Sequence, residues 1–388
     1  MLFLEIQTRI ISNKFLTLLV ALLGLCPCLS RAEKKISFGF KTEFSSAKVS
    51  EAFVLYSFEA ALQNPTEVVA VSVSGNDKNL PEIKKLTHLK YLYLDPSFST
   101  NSFYLTSEGI GIFFNALKEL NTVEFISICD YGLLDKVIQS TSGKLKGITL
   151  NTVCNQLFER NATFWNSIEY LSIKDPAITS LKLPYSNSIR QFEINAANLA
   201  RLDESMCQLV SLEVLKIQTG KITSMPVSFI NLSNLKYLSI SGTENFKLFP
   251  TQLFDATSLE ELHVDLQYVK FIPEEISKLK KLRRLYLNGA IRLKELPKGL
   301  ATINTLEELY IGSWDTPYNI DAISDISHPF LLILNVCDYS KIINLIPDYK
   351  NLTACVVPTS ILPKELKKIK NLLGENKVRV MEFDTSLL

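Results

Sequence analysis

The sequence predicts an α/β solenoid, in which short parallel strands alternate with helical turns along one coiled chain. Three observations predict it: a switch of apolar rhythm inside single stretches, the return of that switch at a near-constant period, and prolines that keep step with it. The stretch "IPEEISKLKKLRRLYLNGA", Ile272 to Ala290, shows the switch, with apolar residues at 272, 276, 279, 282, 285 and 287. Intervals of three and four keep side chains on one face of a helix, whereas an interval of two keeps them on one face of a strand. The chain therefore enters as a helical turn opened by Pro273 and leaves as a short extended segment.

The same L-x-x-L-x-L pattern stands at Leu212/Leu215/Ile217, Leu235/Leu238/Ile240, Leu259/Leu262/Val264, Leu282/Leu285/Leu287 and Leu306/Leu309/Ile311. The starts lie 23, 24, 23 and 24 residues apart. Met225-Pro226, Phe249-Pro250, Ile272-Pro273 and Leu296-Pro297 fall between them in register. A fixed period of about 20 to 30 residues marks a solenoid. Weaker copies extend it at Val68/Val71/Val73, Leu89/Leu92/Leu94, Val123/Ile126/Ile128, Leu145/Ile148/Leu150, Ile168/Leu171/Ile173 and Ile189/Phe192/Ile194. Further copies are expected at Leu331/Leu334/Val336 and Leu352/Cys355/Val357, giving roughly 13 repeats.

These residues resemble the leucine-rich repeat family, whose pattern is matched nearly letter for letter by "LEELHVDLQYVKFIPEEISKLKKLRRLYL". The resemblance implies a curved horseshoe with a parallel sheet on the concave face and short helices or 3-10 turns on the convex one. Two features depart from the family. Its ladder asparagine is replaced by Gly220, Thr243, Gln267, Ala290 and Trp314, and only Asn76 fits. The inter-repeat hydrogen bonds must then come from backbone or water, since buried polar groups rarely stay unpaired. From Leu89 to Val123 the spacing is 34 residues, and "TSEGIGIFFNALKEL" is expected to spend the excess on a true helix with Ser107 as N-cap.

The ends fit an exported array. Arg9 and Lys14 precede the apolar run "FLTLLVALLGL", and Ser30-Arg31-Ala32 follows as a small-x-small site. Residues 1–32 read as a signal peptide, the run being short for a membrane span of about 20 residues; an uncleaved anchor or a buried helix are the alternatives. Residues 33–67 resemble the N-terminal cap of exported bacterial leucine-rich repeat proteins. Repeats are expected over 68–360 and a C-terminal cap over 361–388, where "SILPKELKKIKNLL" precedes "KVRVMEF". A solenoid end needs a polar cover over its apolar core.

Composition excludes several classes. The formal charge is +1, or −1 without residues 1–32, which argues against nucleic acid as the main partner. The cluster Lys278, Lys280, Lys281, Arg283 and Arg284 reads as a solvated face. Five cysteines remain after the signal, an odd number with no terminal cluster, so no disulfide framework is expected. His88, His263 and His328 show no metal-ligand spacing, and no dinucleotide loop or nucleophile elbow is present. Neither cofactor nor metal nor catalytic residue is expected, and fewer than 30 residues follow the last repeat to hold a catalytic domain.

Function is therefore sought on the free face of the sheet. If positions 1, 4 and 6 of a repeat point inward, positions 3, 5 and 7 point out on the concave side. Those columns carry Tyr237, His263, Asp265, Arg284, Tyr286, Glu308 and Tyr310 in one patch, Tyr91 and Tyr93 in another, and Tyr170 between them. Tyrosine beside charged groups suits recognition, because it offers a large area and a polar tip at small entropy cost. Aromatics also favour strands for packing alone. Thirteen strands would expose on the order of 600 Å², more than a small molecule needs and near the scale of a protein interface. The expected function is non-enzymatic protein binding by a secreted, periplasmic or surface-exposed chain with no transmembrane span in its mature form. A glycan-binding surface protein and an envelope spacer are the alternatives.

Overall fold

A computed structural model describes residues 34–37, 52–101, 105–141, 143–153, 157–159, 161–242, 246–313, 321–336, 339 and 351–381. The proposed signal segment 1–32 lies outside them. The chain divides between Thr152 and Val153 into two compact units.

The first unit carries β1 (Lys34–Ser37), β2 (Ala52–Ser57), β3 (Ala70–Val73), β4 (Tyr91–Leu94), β5 (Phe125–Ile128) and β6 (Gly147–Leu150). β1 pairs antiparallel with β2, and β2 through β6 pair in parallel, each with the next in sequence. Parallel neighbours need a crossover, and the long spacing after β4 supplies one as a helix, Ser107–Leu117. Its N-cap is Thr106 and not Ser107: the Thr106 hydroxyl accepts from the Gly109 N–H at 3.1 Å, which leaves Ser107 as the first helical residue. The helix buries Ile110, Phe113, Phe114 and Leu117, with the Phe113 ring 4.7 Å from that of Phe98.

The second unit carries β7 (Tyr170–Lys174), β8 (Gln191–Asn195), β9 (Val214–Gln218), β10 (Tyr237–Ser241), β11 (Glu261–Asp265), β12 (Arg284–Asn288), β13 (Glu308–Ser313), β14 (Phe330–Val336), β15 (Leu352–Pro358) and β16 (Val378–Met381). All pair in parallel in sequence order. Between β8 and β13 the connections are 3-10 turns, such as Val227–Asn231, Glu274–Lys278 and Lys298–Thr302, and the repeat prolines stand just before these turns. A helix, Pro363–Leu373, precedes β16.

The inward columns hold. Across the five regular repeats no residue at position 1, 4 or 6 is more than 1% exposed. Their alternation fails one repeat later, at the expected Leu331/Leu334/Val336. There Leu309 pairs with Leu332 and Ile311 with Leu334, so the inward residues are Leu332 and Leu334, and the frame is shifted by two. The run "FLLILNV" is apolar at consecutive positions, and β14 is buried on both faces at Leu332, Ile333 and Leu334. A continuous apolar run carries no phase. Cys355 keeps the expected inward place opposite Leu332.

The missing ladder asparagine is replaced by backbone. Just past its strand, the N–H of Asp175, Ala196, Thr219, Leu266 and Ala290 donates to the carbonyl of Asn195, Gln218, Ser241, Asn288 and Gly312 respectively, over 2.8–3.1 Å. Four of these five residues lie one position before the column read from sequence. Thr243 and Trp314 lie outside the described residues.

Candidate functional site

The solvent side of the second unit's sheet is built from positions 3, 5 and 7 of successive strands. At its centre stands Glu261, a carboxylate only 5% exposed. Arg284 on β12 donates to it from Nε over 2.6 Å and also meets it through Nη2. His263 Nε2 lies 2.7 Å from its other oxygen. Burial pushes the Glu261 carboxyl up, but His263 and Arg284 outweigh it and hold the group down at about 2. Burial likewise works against the Arg284 charge, and Glu261 more than restores it.

A row of rings crosses the strands beside this pair. His263 stacks on Tyr286 with centroids 4.0 Å apart and planes at 13°. Tyr237 lies 5.3 Å from His263 and Tyr310 lies 5.8 Å from Tyr286. Parallel strands about 4.8 Å apart bring equivalent side chains to this distance without strain. The polar tips are also engaged: Tyr286 donates to Glu308 Oε1 over 2.7 Å, and Asn335 Nδ2 donates to the Tyr310 hydroxyl over 3.1 Å. Burial raises Glu308, against the opposing effect of Tyr286 and Arg284, and burial followed by the Glu308 charge raises Tyr286. The proton of that hydrogen bond therefore stays on the phenol. The Tyr310 ring lies close over Gly312, where any Cβ would come within 2.9 Å of it.

The sequence-predicted residues are thus brought together unequally. His263, Arg284, Tyr286, Glu308 and Tyr310 form one contiguous cluster. Tyr237 sits at its edge but is only 4% exposed, with Lys216 Nζ 5.9 Å over its ring. Asp265 turns to the strand end, where Oδ2 accepts from the Gly242 N–H at 3.0 Å, and Gly242 has the left-handed φ of +72° that this turn requires. Tyr170 donates to Glu193 Oε2 over 3.1 Å on the neighbouring strand. Tyr91 and Tyr93 belong to the first unit. There Tyr91 stacks on Phe125 at 5.1 Å and 9°, and burial raises Tyr93 beside Cys129. Burial also pushes the Cys129 thiol up to about 11, although Tyr93 and Asn151 hydrogen-bond to it. Such a thiol is a weak nucleophile at neutral pH.

Sequence reading missed the centre of the cluster. Nothing in Glu261 alone marks it; the signal was Arg284 one repeat later in the same column, with His263 two residues on. It also passed over neighbouring groups of the same outward columns. Gln218 is exposed, Lys216, Ser239, Ser241 and Asn195 are half-exposed, and Asn195 Nδ2 donates to Gln218 Oε1 over 2.9 Å. Beyond β13 this face closes over apolar side chains, with Ile333, Ala354 and Val356 at most 3% exposed. The basic cluster around Lys280 disperses: Arg284 turns to Glu261, Arg283 pairs with Glu307, Lys278 approaches Asp255, and Lys280 donates to the Thr302 carbonyl.

Among the described residues no group of three or more His, Cys, Asp or Glu side chains could hold a metal ion, and no helix is long and apolar enough to cross a membrane. Cys129, Cys207 and Cys355 are free thiols.

No protein-family model matches the chain, and no curated protein does. Among solved structures it is similar to a leucine-rich repeat protein of Leptospira interrogans, at 19% identity over 84% of this chain and 99% of that one, with a TM-score of 0.45. It is also similar to an internalin of Listeria monocytogenes, at 15% identity over 87% and 92%, TM-score 0.46. A third is the leucine-rich repeat domain of the type III effector XopL, at 18% identity over 58% and 68%, TM-score 0.30. The decisive observation is internal to the chain: sequence-adjacent parallel strands, in register column by column, joined by proline-led 3-10 turns over an unbroken leucine core. By that geometry this chain has the fold of a leucine-rich repeat solenoid.

Proposed function

We propose that the chain is a non-enzymatic scaffold that binds another protein on the solvent side of its sheet between β8 and β13. The observation that carries this reading is the half-exposed polar row of Asn195, Lys216, Gln218 and Ser239 beside a ring cluster whose polar tips are already fixed. A surface whose side chains are held before binding loses little conformational entropy on association. The ring cluster supports the row from beside it, and the contacts to a partner come from the row.

Export belongs to the same proposal. Arg9, Lys14 and the apolar run that follows would direct the chain out of the cytoplasm, with cleavage after Ala32 placing Glu33 at the mature N-terminus. The intact mass of the protein recovered outside the cytoplasm tests this.

The spacer reading has one observation in its favour, the mutual packing of the aromatics, which leaves few of their faces free. Capture of partners by the purified chain, in parallel with a Lys216→Glu/Gln218→Arg variant of equal circular dichroism, separates the readings. A protein held by the first and lost by the second supports the row as a binding site. Retention by both would move the site elsewhere, capture abolished by prior glycosidase treatment would favour a glycan, and capture by neither would favour the spacer.

A further inference from the structure

From Lys90 to Glu307 the residue at position 2 of successive repeats, one after the first inward residue, alternates in charge. In the first unit it reads Lys90, Glu124, Lys146. In the second it continues Glu169, Arg190, Glu213, Lys236, Glu260, Arg283, Glu307. The backbone ties these residues to one another. The N–H of Glu124 donates to the carbonyl of Lys90 and that of Lys146 to Glu124, over 3.0 and 2.7 Å. Likewise Arg190 donates to Glu169, Glu213 to Arg190, Lys236 to Glu213, Glu260 to Lys236, Arg283 to Glu260 and Glu307 to Arg283, all over 2.8–2.9 Å.

Side chains meet across four of the eight rungs within the two units. Lys146 pairs with Glu124 at 3.1 Å. Glu213 pairs with cations on both sides, Arg190 at 2.6 Å and Lys236 at 3.0 Å. Arg283 forks onto Glu307 through two bonds of 2.9 Å. The column gives way to apolar residues at both ends, Val69 before Lys90 and Phe330 after Glu307 in the β13 register.

We infer that this column is a charge ladder that fixes the order in which the repeats stack. The inward leucines cannot do so, since their columns are nearly the same in every repeat and would accept a repeat slipped by one. The backbone rungs are equally indifferent to order. Sign is not: a repeat packed on its next-but-one neighbour would meet a like charge in this column, whereas one packed a further repeat away would meet an opposite charge. In an array whose stability is a sum of nearest-neighbour terms, such a column sharpens the difference between right and wrong neighbours. Single exposed ion pairs contribute little, and it is the unbroken alternation that makes the column selective.

The test is urea unfolding of the full-length chain and three variants, Glu213→Lys, Glu213→Gln and Lys221→Glu, at about 10 mM and about 1 M salt, where the screening length falls from ~30 to ~3 Å. Lys221 is exposed and off the column. Glu213→Lys sets three cations in a row, so at low salt its midpoint should fall well below those of the other two variants. At high salt the gap to Glu213→Gln should close. A gap of equal size at both salts, or a reversal no worse than the neutral change, overturns the inference. Should Glu213→Lys fail to fold at low salt, recovery at high salt supports the ladder and failure at both salts counts against it.

Discussion

Arg284 and Glu261 face each other one strand apart, and both are withdrawn from water, with side-chain exposures of 17% and 7%. Taking charges out of water is unfavourable, and the pair stands because each compensates the other. Arg284→Leu should therefore leave Glu261 buried with only His263 beside it and lower stability by about 3 kcal/mol. The double variant Glu261→Leu/Arg284→Leu should lose less than the single one, because no orphaned charge remains. Urea unfolding of the set decides it, and a double variant worse than Arg284→Leu would show that the pair contributes more than its own compensation.

The two carboxylates of the cluster should respond to pH in opposite directions. Glu261 is held below its ordinary value, so its contribution is complete above the unfolded value near 4.5 and is lost as pH falls through about 2. Glu308 is raised by burial, so its contribution is present at low pH and is lost as pH rises through its folded value. Above that value the ionised Glu308 therefore opposes folding. Glu308→Gln keeps an oxygen to accept from Tyr286 and removes the charge, and should raise the melting midpoint at about pH 7 but leave it unchanged at about pH 3. A lower midpoint at neutral pH would mean that the attraction to Arg284 outweighs burial.

The inward half of the fold was legible because each regular repeat alternates apolar and polar residues around a fixed phase. At Leu331 that signal vanished, since β14 is apolar at every position from Phe330 to Leu334, and only pairing with β13 reveals which side faces in. The outward half was legible as columns but not as contacts. Reading down the columns finds His263, Tyr286 and Tyr310 as neighbours, yet burial of Glu261 and Tyr237 depends on how far their neighbours lean over them. The lack of a ladder asparagine pointed correctly to backbone, whose N–H groups bridge the repeats, and the side chains of Asp175 and Thr219 add bonds that the asparagine pattern does not advertise.

One repeat caps the next on the turn side. Glu274, at the start of one 3-10 turn, accepts the N–H of Lys298 and Gly299 at the start of the following turn, over 3.1 and 2.5 Å. Glu204 does the same for Val227 and Ser228. These are amides that a turn leaves without partners, and a carboxylate there is also favoured by the turn dipole. Glu274→Ala should cost about 1 kcal/mol.

Gly299 should be more sensitive than the cap itself. A Cβ there would stand 2.5 Å from the Glu274 carbonyl oxygen, which is backbone and cannot swing aside. Gly299→Ala is expected to lower the melting midpoint more than Glu274→Ala does. Equal or smaller loss would mean that the two turns can separate at little expense.

Leu285 tests the core that the repeats share. It is fully buried on β12, with Leu262 and Leu309 beside it on the flanking strands. Leu285→Asp places a charge where no partner can reach it, and the chain can relieve it only by opening. In a solenoid each repeat leans on its two neighbours, so opening at β12 should spread to β11 and β13 before it reaches the ends of the unit. Hydrogen exchange should then show lost protection at Leu262 and Leu309 along with Leu285, and a broadened urea transition. Unchanged protection in the flanking strands with a single sharp transition would contradict nearest-neighbour coupling and argue for one cooperative core.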